Sequence, residues 1–66
     1  MTPRYPAVTV QLTGRDGNAF YILGTVQAAL RTAGAQPAEV AAYMAEATSG
    51  DYNQLLATTM RWVDVA

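Results

Sequence analysis

The stretch Leu12–Gly34, LTGRDGNAFYILGTVQAALRTAG, constrains this chain more than any other. It reads as the end of a strand, a polar glycine turn and a long helix stopped by glycine. Asn18 stands at the helix N-cap, where its side-chain oxygen can accept a hydrogen bond from a first-turn N–H. The helix is expected from about Ala19 to Ala33, with Gly34 as the C′ residue, a position where glycine enters the left-handed region without steric cost. Ile22, Leu23, Val26, Leu30 and Ala33 fall on one face at helical spacing. Phe20, in the first turn, is expected to fold under the incoming strand. Gly24 lies inside the helix and costs about 1 kcal/mol relative to alanine there.

The flanking segments complete a small α+β fold. Residues 1–6 hold Pro3 and Pro6 and read as an extended, loose N-terminal arm. Residues 7–13 alternate, with Val8, Val10 and Leu12 on one side and Thr9, Gln11 and Thr13 on the other, which marks a half-buried strand. Pro37 suits the first position of a second helix, and Val40, Tyr43, Met44 and Ala47 give it an apolar stripe. Thr48, Ser49 and Gly50 end it. Asp51 caps a third helix, with Gln54 at the N3 position of a capping box. Its expected inner face is Tyr52, Leu55, Leu56, Thr59 and Met60. From Arg61 to Ala66 alternation returns, so a second strand is predicted, with Val63 and Val65 facing the helices and Trp62 and Asp64 facing away. The order is β-α-α-α-β: a two-stranded sheet packed on three helices, forming one domain over 7–66.

The inventory of side chains limits the chemistry. There is no cysteine, histidine or lysine among the 66 residues. Disulfides, thiolate metal sites, imidazole bases and Schiff-base routes are therefore closed. No catalytic residue, metal site or cofactor is expected, and the chain reads as a non-enzyme. Ser49 is the only serine and belongs to a helix stop; Asp16 and Asp51 stand at helix starts, where capping is their ordinary role. The four basic residues, Arg4, Arg15, Arg31 and Arg61, are scattered, and net charge is −1. With no basic stripe, a nucleic-acid polymer is an unfavoured partner.

Two surfaces remain. The turn before the first helix joins flexible glycines and Arg15 to a helix N-terminus, whose unpaired N–H groups and partial positive charge attract anions. The candidate ligand set is Arg15, Asp16, Gly17, Asn18, Ala19 and Phe20, with Tyr52 as a stacking ring. Gly14 and Gly17 match neither phosphate-loop glycine pattern, and a plain strand-to-helix turn is the other reading of them. Tyr21 and Trp62 lie off the apolar faces of their predicted elements and are candidate interface residues, with core packing as the other reading of Trp62.

Taken together, DGNAF at 16–20, LGTVQAALRTAG at 23–34, EATSGDYNQLL and MRWVDV resemble a family of small phage and prophage proteins. The resemblance covers nearly all of the chain after Pro6. It implies a phage-borne accessory protein, of a class that often inhibits host antiviral defence, and transfers no catalytic residue. The expected function is sequestration of an anionic nucleotide signal at the Gly14–Phe20 turn. The alternative is a protein–protein inhibitor that blocks a host defence protein by surface contact. A chain this short without staples is expected to form a homo-oligomer. No apolar run has membrane-spanning length and the N-terminus lacks a signal-peptide core, so the expected location is the (host) cytoplasm.

Overall fold

A computed structural model describes residues 2–12 and 18–66. Along them run β1 (Tyr5–Val10), α1 (Ala19–Thr32), α2 (Pro37–Ala47), α3 (Tyr52–Trp62) and β2 (Val63–Val65). This is the α+β order expected from the sequence. The strands pair in parallel, a direction the sequence left open. Parallel neighbours need a long crossover, and here the three helices supply it.

The sheet is short and uneven. Tyr5 is opposite Val63, Thr9 opposite Asp64 and Val10 opposite Val65, with the register broken between Tyr5 and Thr9. Pro6 falls in that break, where a residue without an N–H interrupts no ladder bond. Two further bonds tie the ends: Arg4 N–H donates to Arg61 C=O at 2.9 Å, and Ala66 N–H donates to Val10 C=O at 2.8 Å. The strand thus begins at Tyr5 and ends at Val10, where alternation suggested 7–13. The reading of 1–6 as a loose arm is corrected at Arg4 and Tyr5, which are held by backbone pairing and by side chains described below.

Local signals set the helix ends. Asn18 Oδ1 accepts from the N–H groups of Phe20 at 2.8 Å and Tyr21 at 3.4 Å. At the other end of α1, Gly34 has φ of +89°, with Gly34 N–H bonded to Arg31 C=O and Ala35 N–H to Leu30 C=O. That pair of bonds is the Schellman closure, and it needs a left-handed residue. Pro37 opens α2. At its end the hydroxyls of Thr48 and Ser49 donate back to the carbonyls of Met44 and Glu46, both at 2.7 Å. Asp51 Oδ1 accepts from Gln54 N–H at 2.9 Å, as the capping box requires, while the Gln54 amide reaches forward to Thr58.

Helix α3 differs from expectation in length and rotation. It continues through Trp62, so the buried stripe is Leu55, Thr58, Thr59 and Trp62. Leu56 is half-buried and Tyr52 and Met60 are exposed. Burying an indole removes more apolar surface from water than burying a thioether, and the helix turns accordingly. Around this stripe gather Val8, Val10, Ile22, Val26, Leu30, Val40, Tyr43 and Val63. Tyr43 is fully buried, and its hydroxyl shares a 2.8 Å hydrogen bond with that of Thr59, also fully buried. Phe20 is not under the strand: it is 83% exposed.

Candidate functional site

Where the N-terminus of α1 meets that of α3, the helices leave a groove of about 250 Å³. Ala19, Leu23, Ala47 and Leu55 make an apolar lining, and Thr48, Gly50, Asp51 and Tyr52 complete it. Ala19 and Tyr52, both in the expected ligand set, meet here although they lie far apart in the chain. The rest of that set divides. Asn18 is occupied as the cap of α1. Phe20 follows Ala19 but lies about 100° further round the helix, out in solvent. Arg15, Asp16 and Gly17 lie outside the described residues.

Among the described residues, the electrostatics of this groove offer an anion little. The Phe20 and Tyr21 N–H groups are already bound to Asn18, and Ile22 N–H goes to Asn18 C=O. Among the described lining residues only Asp51 is charged, and it is negative. Capping that satisfies a helix N-terminus from within removes the donors an external phosphate would use.

Beside Tyr52, α3 presents an apolar ridge. Tyr52, Leu56 and Met60 recur every four residues and so lie on one side of the helix. Tyr52 is 44% and Met60 64% exposed. Sequence reasoning placed all three inward, because the helical pattern was cut short at Met60.

A second groove, of about 430 Å³, opens between α1 and α2. Gln27 and Arg31 form its α1 side; Ala35, Pro37, Val40, Ala41 and Met44 form the rest. None of its lining residues was a candidate from sequence. A signal was present: Ala19, Leu23, Gln27 and Arg31 recur every four residues, so the α1 walls of both grooves belong to one stripe.

Of the expected interface residues, Tyr21 is 37% exposed and available. Trp62 is corrected: it ends a helix, not a strand, and is 4% exposed. Tyr5 stacks on its ring at 6.1 Å between centroids, Tyr43 meets it edge-on at 5.7 Å, and the Arg4 guanidinium sits 4.5 Å from its centroid. Its Nε1–H donates to Glu46 Oε1 at 2.9 Å. Arg4 also pairs with Glu39 at 2.8 Å, and the Tyr5 hydroxyl donates to Glu39 at 3.1 Å. The indole has no surface left for a partner. The hydrogen bond from Trp62, aided by Arg61 at 3.5 Å, lowers the Glu46 pKa below the usual carboxylate value. Desolvation raises the Tyr5 phenol, with the Glu39 carboxylate adding to it, and burial raises that of Tyr43.

Among the described residues no three acidic side chains gather to hold a metal ion, and no helix is long and apolar enough to cross a membrane. No protein-family model matches the chain, nor does any curated protein or solved structure.

Proposed function

We propose that this chain is a non-enzymatic binding protein that acts by direct contact with another protein. The contact surface is the α3 ridge Tyr52–Leu56–Met60 together with the apolar groove beside Tyr52. The observation that carries this reading is the ridge: an aromatic ring and a methionine, 44% and 64% exposed, spaced for one side of a helix. Exposed apolar residues aligned on a helix are the usual means by which one helix is read by a partner's groove. The absence of histidine, cysteine and lysine from the sequence supports a binder over a catalyst. The resemblance to small phage and prophage proteins supplies the setting, a phage-borne inhibitor of a host defence protein in the host cytoplasm.

Sequestration of a nucleotide signal is the second reading, favoured by the meeting of Ala19 and Tyr52 in one groove. Tyr52 would stack on a base, leaving the phosphates to Arg15. The Asp51 carboxylate and the internally capped N-terminus of α1 weigh against it.

One experiment separates the two. A ligand that binds only the native state raises its melting temperature by mass action. Cyclic di- and oligonucleotides and ADP-ribose derivatives are expected to leave the melting temperature unchanged. A saturable rise with any of them, lost in Tyr52→Ala, would replace the first reading by the second. The ridge itself is tested by Met60→Glu, which should keep the fold and abolish protection of an infecting phage from the host defence that the wild-type chain counters.

A further inference from the structure

We infer that the outer face of α1 is a self-complementary dimer surface, in which Phe20 of each copy enters the α1–α2 groove of the other. The large apolar ring of Phe20, 83% exposed, has found no place in its own chain. Phe20, Gly24, Gln27 and Arg31 follow the spacing i, i+4, i+7, i+11, so the ring lies on the same face as the α1 wall of the 430 Å³ groove. The Val40 and Met44 side of that groove offers an apolar bed, and Arg31 lies where a guanidinium can meet the face of a phenyl ring.

The occupant is a second copy because knob and hole are related by a two-fold operation. The centre of the Gln27–Arg31 wall lies nine residues beyond Phe20, roughly 13 Å along the helix at ~1.5 Å per residue. A two-fold axis midway passes Gly24. When two α1 helices run antiparallel across it, each Phe20 arrives opposite the other's groove at the same time. Gly24 is the residue this arrangement wants at the crossing. A Cβ added there would meet nothing within 4 Å among the described residues, and its absence permits two helices to approach.

Charge agrees with the same operation. Arg31 is at one end of the α1 stripe, and its guanidinium has no carboxylate partner among the described residues. Asp51 is at the other end, in the groove that Ala19 lines. Antiparallel pairing brings Arg31 of each copy toward the end of the other's α1 at which Asp51 lies. A parallel arrangement would instead set the like charges together. The dimer does not depend on the function proposed above.

Sedimentation and light scattering across the micromolar range test it. The wild type should show a mass of twice 7.0 kDa that dissociates on dilution. Phe20→Asp should weaken the dimer at least tenfold with the circular dichroism spectrum unchanged, because an exposed first-turn position accepts an acidic residue well. The chain has no cysteine, so Gly24→Cys reports the axis directly. It should form a disulfide-linked dimer under mild oxidation far faster than Asn53→Cys, an exposed position on α3. A wild-type monomer at every concentration would overturn the inference. So would a dimer that tolerates Phe20→Asp, or one in which Asn53→Cys cross-links as fast as Gly24→Cys.

Discussion

The Trp62 corner and the outer face of α1 treat their aromatic residues in opposite ways. At the corner, Trp62 touches Tyr5, Tyr43 and Arg4, and its one polar atom is bound to Glu46. On α1, Phe20 stands in solvent one helical turn from a glycine at which an added Cβ would meet nothing among the described residues. From sequence Phe20 was expected under the strand, and Trp62 at an interface with core packing as the other reading. The difference lies in what surrounds each one. Trp62 sits where β1, α2 and α3 converge, so long side chains from Arg4, β1 and α2 enclose it. Phe20 sits on the outer side of a helix that already buries Ile22, Val26 and Leu30. A ring's size does not decide its burial; the number of elements within reach does.

The sharpest way to break this contrast is Trp62→Ala. Large-to-small core changes at an aromatic cost about 3–5 kcal/mol. A domain of 66 residues has roughly 3–10 kcal/mol in total at typical stability per residue. Urea titration should therefore find the variant barely folded, and a loss below ~1 kcal/mol would mean that the corner is not core. Phe20→Ala, by comparison, should leave the stability of the isolated chain nearly unchanged.

Thr59→Val probes the same side of the molecule more gently. It keeps the shape but strands the buried Tyr43 hydroxyl, so a loss of about 1–3 kcal/mol is expected in denaturant melts. Tyr43→Phe with Thr59→Val together should recover part of it, since both polar partners then leave at once. An additive double variant would show that the hydroxyl pair is not coupled.

On the open side the expected sign reverses. Gly24→Ala should stabilise the chain by roughly 0.4–1 kcal/mol, because alanine restricts the unfolded chain and the added methyl meets open space. It is best measured by thermal denaturation in the Phe20→Asp background, where any contact between copies is weakened. Destabilisation there would mean that α1 has a neighbour inside its own chain.

The smallest effect is electrostatic. The Glu46 pKa is lowered in the folded state, chiefly by the Trp62 N–H. Its contribution to stability is present above the unfolded-state pKa and is lost as pH falls through the folded one. Melting temperature should therefore decline below the ordinary glutamate range, and Glu46→Gln should flatten that decline by slightly lowering stability at neutral pH. An acid profile identical in the two proteins would remove Glu46 from the corner's electrostatics.

Much of the framework was legible because its determinants are local. Asn18, Gly34, Pro37 and Asp51 each act within a few residues of themselves, and all four mark the ends of the helices they were expected to mark. Trp62 was not legible in the same way. Whether it points in or out depends on whether α3 has ended, and Arg61 to Val65 alternates apolar and polar residues like a strand while its first two positions are helical. Strand direction was equally hidden, since parallel and antiparallel closure use the same alternation. The grooves arise between helices, and only their α1 wall, the four-residue spacing from Ala19 to Arg31, leaves a trace in one segment.

The pairing of β1 with β2 has a mechanical consequence. Because the strands are parallel, a pull on the chain at Arg4 and one at Ala66 act at opposite ends of the ladder. The bonds from Arg4 N–H to Arg61 C=O and from Ala66 N–H to Val10 C=O, together with those between, are then loaded in shear at the same time. A hairpin pulled from its open end gives way one bond after another. Here the sheet, though only two strands wide, works as a clasp across the load path: the helices between the strands feel no tension until it parts.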